Sequence, residues 1–176
     1  MMEQAIFVSA AIFDEVHEPY SRLYFGNEFC QRLLPQPGEL DAALAWAQAR
    51  RMAFTLVTPY VSGEALSALD VLFQRLARCA EASFEVVVND WGVLHLLTEG
   101  RWKGAFIPVL GRLLTKQRRD PRIPILRSLP EAARQHLKSA NIDAPPLSDF
   151  LRSRGIERVE LDNPPQGLVR GGTMSA

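Results

Sequence analysis

The sequence predicts an α/β fold, a partial or truncated TIM-type (β/α) barrel with about six parallel strands. Three observations carry this. Short, nearly continuous apolar runs alternate with segments whose apolar residues recur at helical spacing, the pattern of a parallel sheet covered by helices. Two of the runs, Leu23-Tyr24-Phe25-Gly26-Asn27-Glu28-Phe29-Cys30 and Phe84-Glu85-Val86-Val87-Val88-Asn89-Asp90-Trp91-Gly92, stop abruptly in polar or reactive residues. The stretch from Phe150 through Gly155 to Asp162 reads as helix, glycine stop and strand, a half-unit of an α/β barrel.

Each element has a local reason. Residues 5–13 and 23–26 are apolar and strand-like. Leu40, Leu44 and Ala47 recur at helical spacing, so 39–51 forms an amphipathic helix. Residues 54–58 make a third strand, closed by Pro59. Ser62 is placed as an N-cap with Glu64 in the first turn, and Leu66, Leu69, Phe73 and Leu76 line one face of a helix running to about Ala80. Residues 84–88 form a fourth strand, and 93–97 begin a short helix. Residues 105–110 form a fifth strand. Pro108 cannot donate to a ladder, so a bulge or irregular pairing is expected there. Residues 129–139 are helical with Pro130 in the first turn, 147–154 form a helix ended by Gly155, and 159–161 make the sixth strand.

One junction is tight. Only residues 14–22 separate the first two strands, whereas a parallel crossover needs roughly 10–12 residues. Either the first helix is vestigial or the first strand is wrongly placed. About six strands do not close an eight-stranded barrel. The organisation read from the sequence is an incomplete α/β barrel over residues 1–162, followed by a loop-like tail, 163–176, that leads toward an absent C-terminal half. A standalone six-stranded sheet is the alternative.

Composition narrows the function classes. A 176-residue chain with 47% hydrophobic residues is long and apolar enough for a folded core. Twenty basic and twenty acidic side chains cancel, so attraction to nucleic acid or membrane must come from a local patch. Cys30 and Cys79 do not make a disulfide framework and read as reduced thiols. The start, Met1-Met2-Glu3-Gln4, lacks a basic, apolar leader, and no apolar run approaches the ~20 residues of a membrane span. The expectation is a cytoplasmic protein with no membrane partner.

The candidate chemistry sits where parallel strands end. Asn27 to Cys30, Thr58 to Tyr60, Asn89 to Trp91, the loop after Leu110, and Asp162-Asn163 converge on one face if the sheet is parallel. Cys30, as a thiolate, can ligate metal or act as a nucleophile; a free cysteine otherwise serves as a small hydrophobe. Asp90, with Asn89, can supply a general base or acceptor, or cap the helix that follows. The loop after the fifth strand carries Arg112, Lys116, Arg118, Arg119, Arg122 and Arg127 against only Asp120, a candidate contact for phosphate or RNA backbone; the alternative is a solvated insertion. His17, His95 and His136 are scattered, with no triad grouping, nucleophile elbow, Cys-x-x-Cys pair or glycine-rich phosphate loop. Cys79 has no assigned role.

Taken in order, Leu23-Tyr24-Phe25-Gly26 through Cys30, the helix before residues 54–58, Val87-Val88-Asn89-Asp90-Trp91-Gly92-Val93-Leu94, residues 107–117 and the approach from Glu160 to Asn163 resemble the collagenase-like peptidase family of unknown catalytic type. That superfamily includes accessory proteins for oxygen-independent ubiquinone hydroxylation and proteins for tRNA and rRNA hydroxylation. The resemblance implies a TIM-type barrel. It also implies that Cys30 matches a cysteine that ligates a [4Fe-4S] cluster in the ubiquinone-accessory members, as one ligand of a site whose other cysteines lie outside this chain. The chain departs from the family pattern in its short first helix, in Leu113-Leu114-Thr115-Lys116-Gln117 where an asparagine is usual, and in the basic insertion. Three functions follow as expectations: part of an iron–sulfur or hydroxylation-associated protein of ubiquinone or RNA modification; a peptidase; or a non-enzymatic RNA- or protein-binding module. Open sheet edges imply pairing with the missing half, a partner subunit or a second copy.

Overall fold

The computed structural model describes residues 3–9, 13, 20–79, 84–126 and 128–171. His17, Arg127 and Gly172 lie outside the described residues, as does most of the connection between the first two strands. The strands are β1 (Ala5–Val8), β2 (Arg22–Gly26), β3 (Ala53–Val57), β4 (Glu85–Val88), β5 (Ile107–Leu110) and β6 (Arg158–Val159). The helices are α1 (Pro37–Ala49), α2 (Gly63–Arg78), α3 (Trp91–Thr98), α4 (Glu131–Lys138) and α5 (Pro145–Ser153). The strands form a six-stranded parallel sheet in the order β1-β2-β3-β4-β5-β6, which is the α/β class read from the sequence. The chain divides within β5 into two compact units, Met1–Pro108 and Val109–Ala176.

In unit 1 each strand pairs with the next one in sequence, β1 with β2, β2 with β3 and β3 with β4, all parallel. A doubly wound sheet reverses its order at a switch point. No reversal occurs here, so right-handed crossovers set successive helices on one face, as in a barrel wall. Alternation and register place Leu23, Phe25, Phe54, Leu56, Val86 and Val88 together on that face. Phe13 stacks on Trp46 of α1 and touches Phe25, which ties the helix to it. α1 contributes buried Leu40, Ala43, Leu44 and Ala47, and α2 buries Leu69, Leu72, Phe73 and Leu76. Each such Leu or Phe contributes roughly 1.5–3 kcal/mol.

The opposite face carries a polar chain near the amino ends of the strands. Arg22 Nη1 donates to Thr55 Oγ1 at 3.0 Å and lies 3.0 Å from Glu85 Oε2; Thr55 Oγ1 donates to the same Glu85 oxygen at 3.1 Å. Glu3 accepts from Arg22 Nε at 2.8 Å. Thr55 is fully buried and Glu85 nearly so. Burial of this pair demands such mutual satisfaction.

In unit 2, β5 and β6 pair in parallel from Val109 onward, past Pro108, where the missing N–H does no harm to this ladder. Gly155 follows α5 with φ 73°, the left-handed stop expected of it. Several boundaries differ from the sequence reading. β1 ends at Val8 rather than continuing to residue 13, and Phe13 is buried outside a strand. Pro130 precedes α4 as its N-cap instead of sitting in the first turn. Ser62 occupies the N-cap of α2 without a side-chain cap bond; its N–H donates to Gln31 Oε1 at 2.7 Å.

Candidate functional site

The parallel register brings the ends of β2, β3 and β4 to one edge of unit 1: Gly26 lies beside Val57, and Val57 beside Val87. Cys30 and Asp90 each follow a strand that ends at this edge. Gly26 makes the edge possible. Its φ is 133°, and a Cβ built on it would sit 2.2 Å from the Val57 carbonyl oxygen, so only glycine fits. The chain then turns through an Asn27 cap: Asn27 Oδ1 accepts the N–H groups of Phe29 at 3.0 Å and Cys30 at 2.8 Å. Cys30 is partly exposed and leads a 3₁₀ turn, Gln31–Leu33.

The other polar groups of this edge are committed to backbone. Thr58 Oγ1 donates to the Val87 carbonyl at 2.8 Å, and Asn89 Nδ2 donates to the Thr58 carbonyl at 2.9 Å. Both side chains are fully buried. Asp90 Oδ1 accepts the N–H groups of Gly92 at 2.7 Å and Val93 at 3.3 Å and so caps α3. The cap role weighed for Asp90 in the sequence is thus present, and Asn89 is a staple between β3 and β4. Around the edge, Phe29, Tyr60 and Trp91 are exposed, each in or just after a strand-ending loop. His95 sits on α3 with its Nδ1 3.2 Å from Glu99 Oε2. Cys79 ends α2, its Sγ 3.6 Å from the Arg75 carbonyl.

Among the described residues no group of three or more His, Cys, Asp or Glu side chains is placed to hold a metal ion. Cys30 offers one thiolate at the unit 1 edge. The described residues therefore do not by themselves fit a [4Fe-4S] cluster, which takes four.

The basic loop lies in unit 2, and its charges are less available than its sequence implies. Arg112 Nη1 reaches Asp162 Oδ1 at 3.3 Å, and Arg119 pairs with the other oxygen of the same carboxylate. Arg122 forks onto Asp120, with Nη2 to Oδ2 at 2.7 Å. Arg122 hydrogen bonds, side chain first and then backbone, lower the Asp120 pKa to about 2. The reading of these arginines as opposed by Asp120 alone is corrected: Asp162, 50 residues from Arg112, balances two of them. Lys116 and Arg118 make no ion pair among the described residues, and both line a cavity with Gln117, His136, Asn141 and Asp143.

Sequence reasoning passed over Gly26 and Asn141. A glycine closing an apolar strand just before polar residues is a usable signal for close backbone approach. Nothing local marks Asn141, which accepts from Lys116 N–H at 2.7 Å and donates to the Leu114 carbonyl at 3.1 Å. No helix among the described residues is long and apolar enough to cross a membrane. Comparison with protein-family models, curated proteins and solved structures finds no match to this chain.

Proposed function

We propose that the chain is part of an iron–sulfur, hydroxylation-associated protein related to the collagenase-like peptidases, acting in the cytoplasm on ubiquinone or RNA modification. The seat of Cys30 carries this reading. A partly exposed thiol follows β2 directly, at the carboxyl edge of a parallel sheet wound in sequence order, with its backbone fixed by Asn27. Cys30 supplies one thiolate, and cysteines outside these 176 residues supply the rest. When complete, the cluster would provide redox chemistry at this edge. Exposed Phe29, Tyr60 and Trp91 favour a second protein surface, the remaining part of the barrel or a partner subunit, over this edge.

A peptidase has less support. Asp90 is occupied with two backbone amides and Asn89 with the Thr58 carbonyl, so neither is poised as a base toward Cys30.

The test is anaerobic purification of the product of the uninterrupted reading frame, with iron, acid-labile sulfide and visible absorption measured. A brown product whose iron content falls on Cys30→Ser supports the proposal. A colourless, iron-free product overturns the cluster role, and cleavage of peptides lost in Cys30→Ser would replace it with the peptidase reading.

A further inference from the structure

Unit 2 contains a cavity of about 660 Å³, of a size that takes a small organic ligand. Its polar lining is lopsided. Lys116 and Arg118 are exposed cations without an ion pair among the described residues. Gln117 Oε1 accepts the Asp162 N–H at 3.1 Å, and its buried Nε2 has no hydrogen-bond partner, so that nitrogen is a donor lacking an acceptor. His136 adds an imidazole N–H.

Most of the acceptors in the lining are used. Both ends of the Asn141 amide are bonded to the loop. Asp143 takes the Ala140 N–H on Oδ2 at 3.2 Å; its Oδ1 has no hydrogen bond but lies 3.5 Å from Arg170 Nε, so its charge is matched by that cation. The cavity thus offers donors and positive charge and wants a compact anion rich in acceptors, which is the description of a phosphate group. Gln135 and Ser139 also line it, with Gln135 Nε2 donating to Glu131 at 2.6 Å and Ser139 Oγ to the His136 carbonyl at 2.8 Å. Ala140, Ala144, Val169 and Gly171 complete the wall, and no Phe, Tyr or Trp among the described residues lines it, so no aromatic side chain is present for a base to stack on.

We propose that this cavity binds a small phosphate monoester with a non-aromatic body, its phosphate held by Lys116, Arg118 and Gln117. The site is independent of the cluster reading for Cys30. It is also more confined than an RNA track, because Arg112, Arg119 and Arg122 are spent on Asp162 and Asp120.

The full chain is titrated calorimetrically with ribose 5-phosphate and with ribose, and separately with a labelled single-stranded RNA. The expected result is saturable binding of ribose 5-phosphate and none of ribose. Lys116→Met with Arg118→Met lowers the affinity at least about tenfold, and Arg122→Met changes it by less than about twofold. Both altered cations are exposed, and circular dichroism verifies the fold. Four results overturn the proposal: no saturable binding in the millimolar range, equal binding of ribose, unchanged affinity in the double variant, or RNA binding that saturating ribose 5-phosphate fails to displace.

Discussion

The carboxyl edge of unit 1 and the basic loop of unit 2 spend their polar side chains in opposite ways. At the unit 1 edge, Asn27, Thr58, Asn89 and Asp90 bond to backbone and lock the turns that follow three strands. In the unit 2 loop, arginines bond to carboxylates, and two of the three are largely solvated: Arg119 and Arg122 side chains are 61% and 76% exposed, against 37% for Arg112. A buried side chain that satisfies a backbone group cannot be removed without orphaning that group. An exposed ion pair loses little, because water and salt replace the partner. Polar side chains therefore build a frame in one unit and an adjustable charge distribution in the other.

Predictions that probe this contrast run from large to small. Glu85→Ala, which removes the buried acceptor shared by Arg22 Nη1 and Thr55 Oγ1 and leaves Arg22 with Glu3 as its carboxylate partner, is expected to cost about 3 kcal/mol in denaturant unfolding. A loss near zero would place those groups outside the frame. Gly26→Ala forces a Cβ against the Val57 carbonyl and should cost about 2–3 kcal/mol, with faster amide exchange at Asn27 and Cys30. Asn89→Ala leaves the Thr58 carbonyl without its donor, for about 2 kcal/mol. Asp90→Ala removes the α3 cap for about 1 kcal/mol, and Asp90→Asn should recover most of it, since Asn caps nearly as well; a general base would not be rescued this way.

At the small end stands the Asp120–Arg122 pair. The folded carboxyl titrates near 2, below its ordinary 3.8. Its contribution is present above 3.8 and fades as pH falls through about 2. Carboxyl carbon shifts in an NMR acid titration should show that low midpoint, returning toward the ordinary value in Arg122→Ala. The same variant should leave the urea midpoint unmoved at neutral pH. A clear shift would mean that the loop is framed as rigidly as the unit 1 edge.

Much of the frame was legible in the chain. The runs ending at Gly26, Val57 and Val88 are nearly continuous in apolar residues, interrupted only by Thr55 and Glu85, the pattern of a covered parallel strand, so their positions and direction followed. That direction alone put Cys30 and Asp90 at one edge. Boundaries were less legible. β1 stops at Val8 although Phe13 is as apolar as a strand residue, because its ring is used against Trp46 rather than in a ladder.

Sequence by itself determined the α/β alternation, the helix stop at Gly155 and the placement of reactive residues after strands, since these depend on periodicity and on backbone preferences within a few residues. Tertiary structure alone decided which charges remain available. Asp162 reaches Arg112 and Arg119, and Asn141 ties down Lys116 and Leu114, across separations of 25 to 50 residues. Ion pairing and hydrogen bonding depend on distance in space, and no local pattern in a sequence encodes that distance.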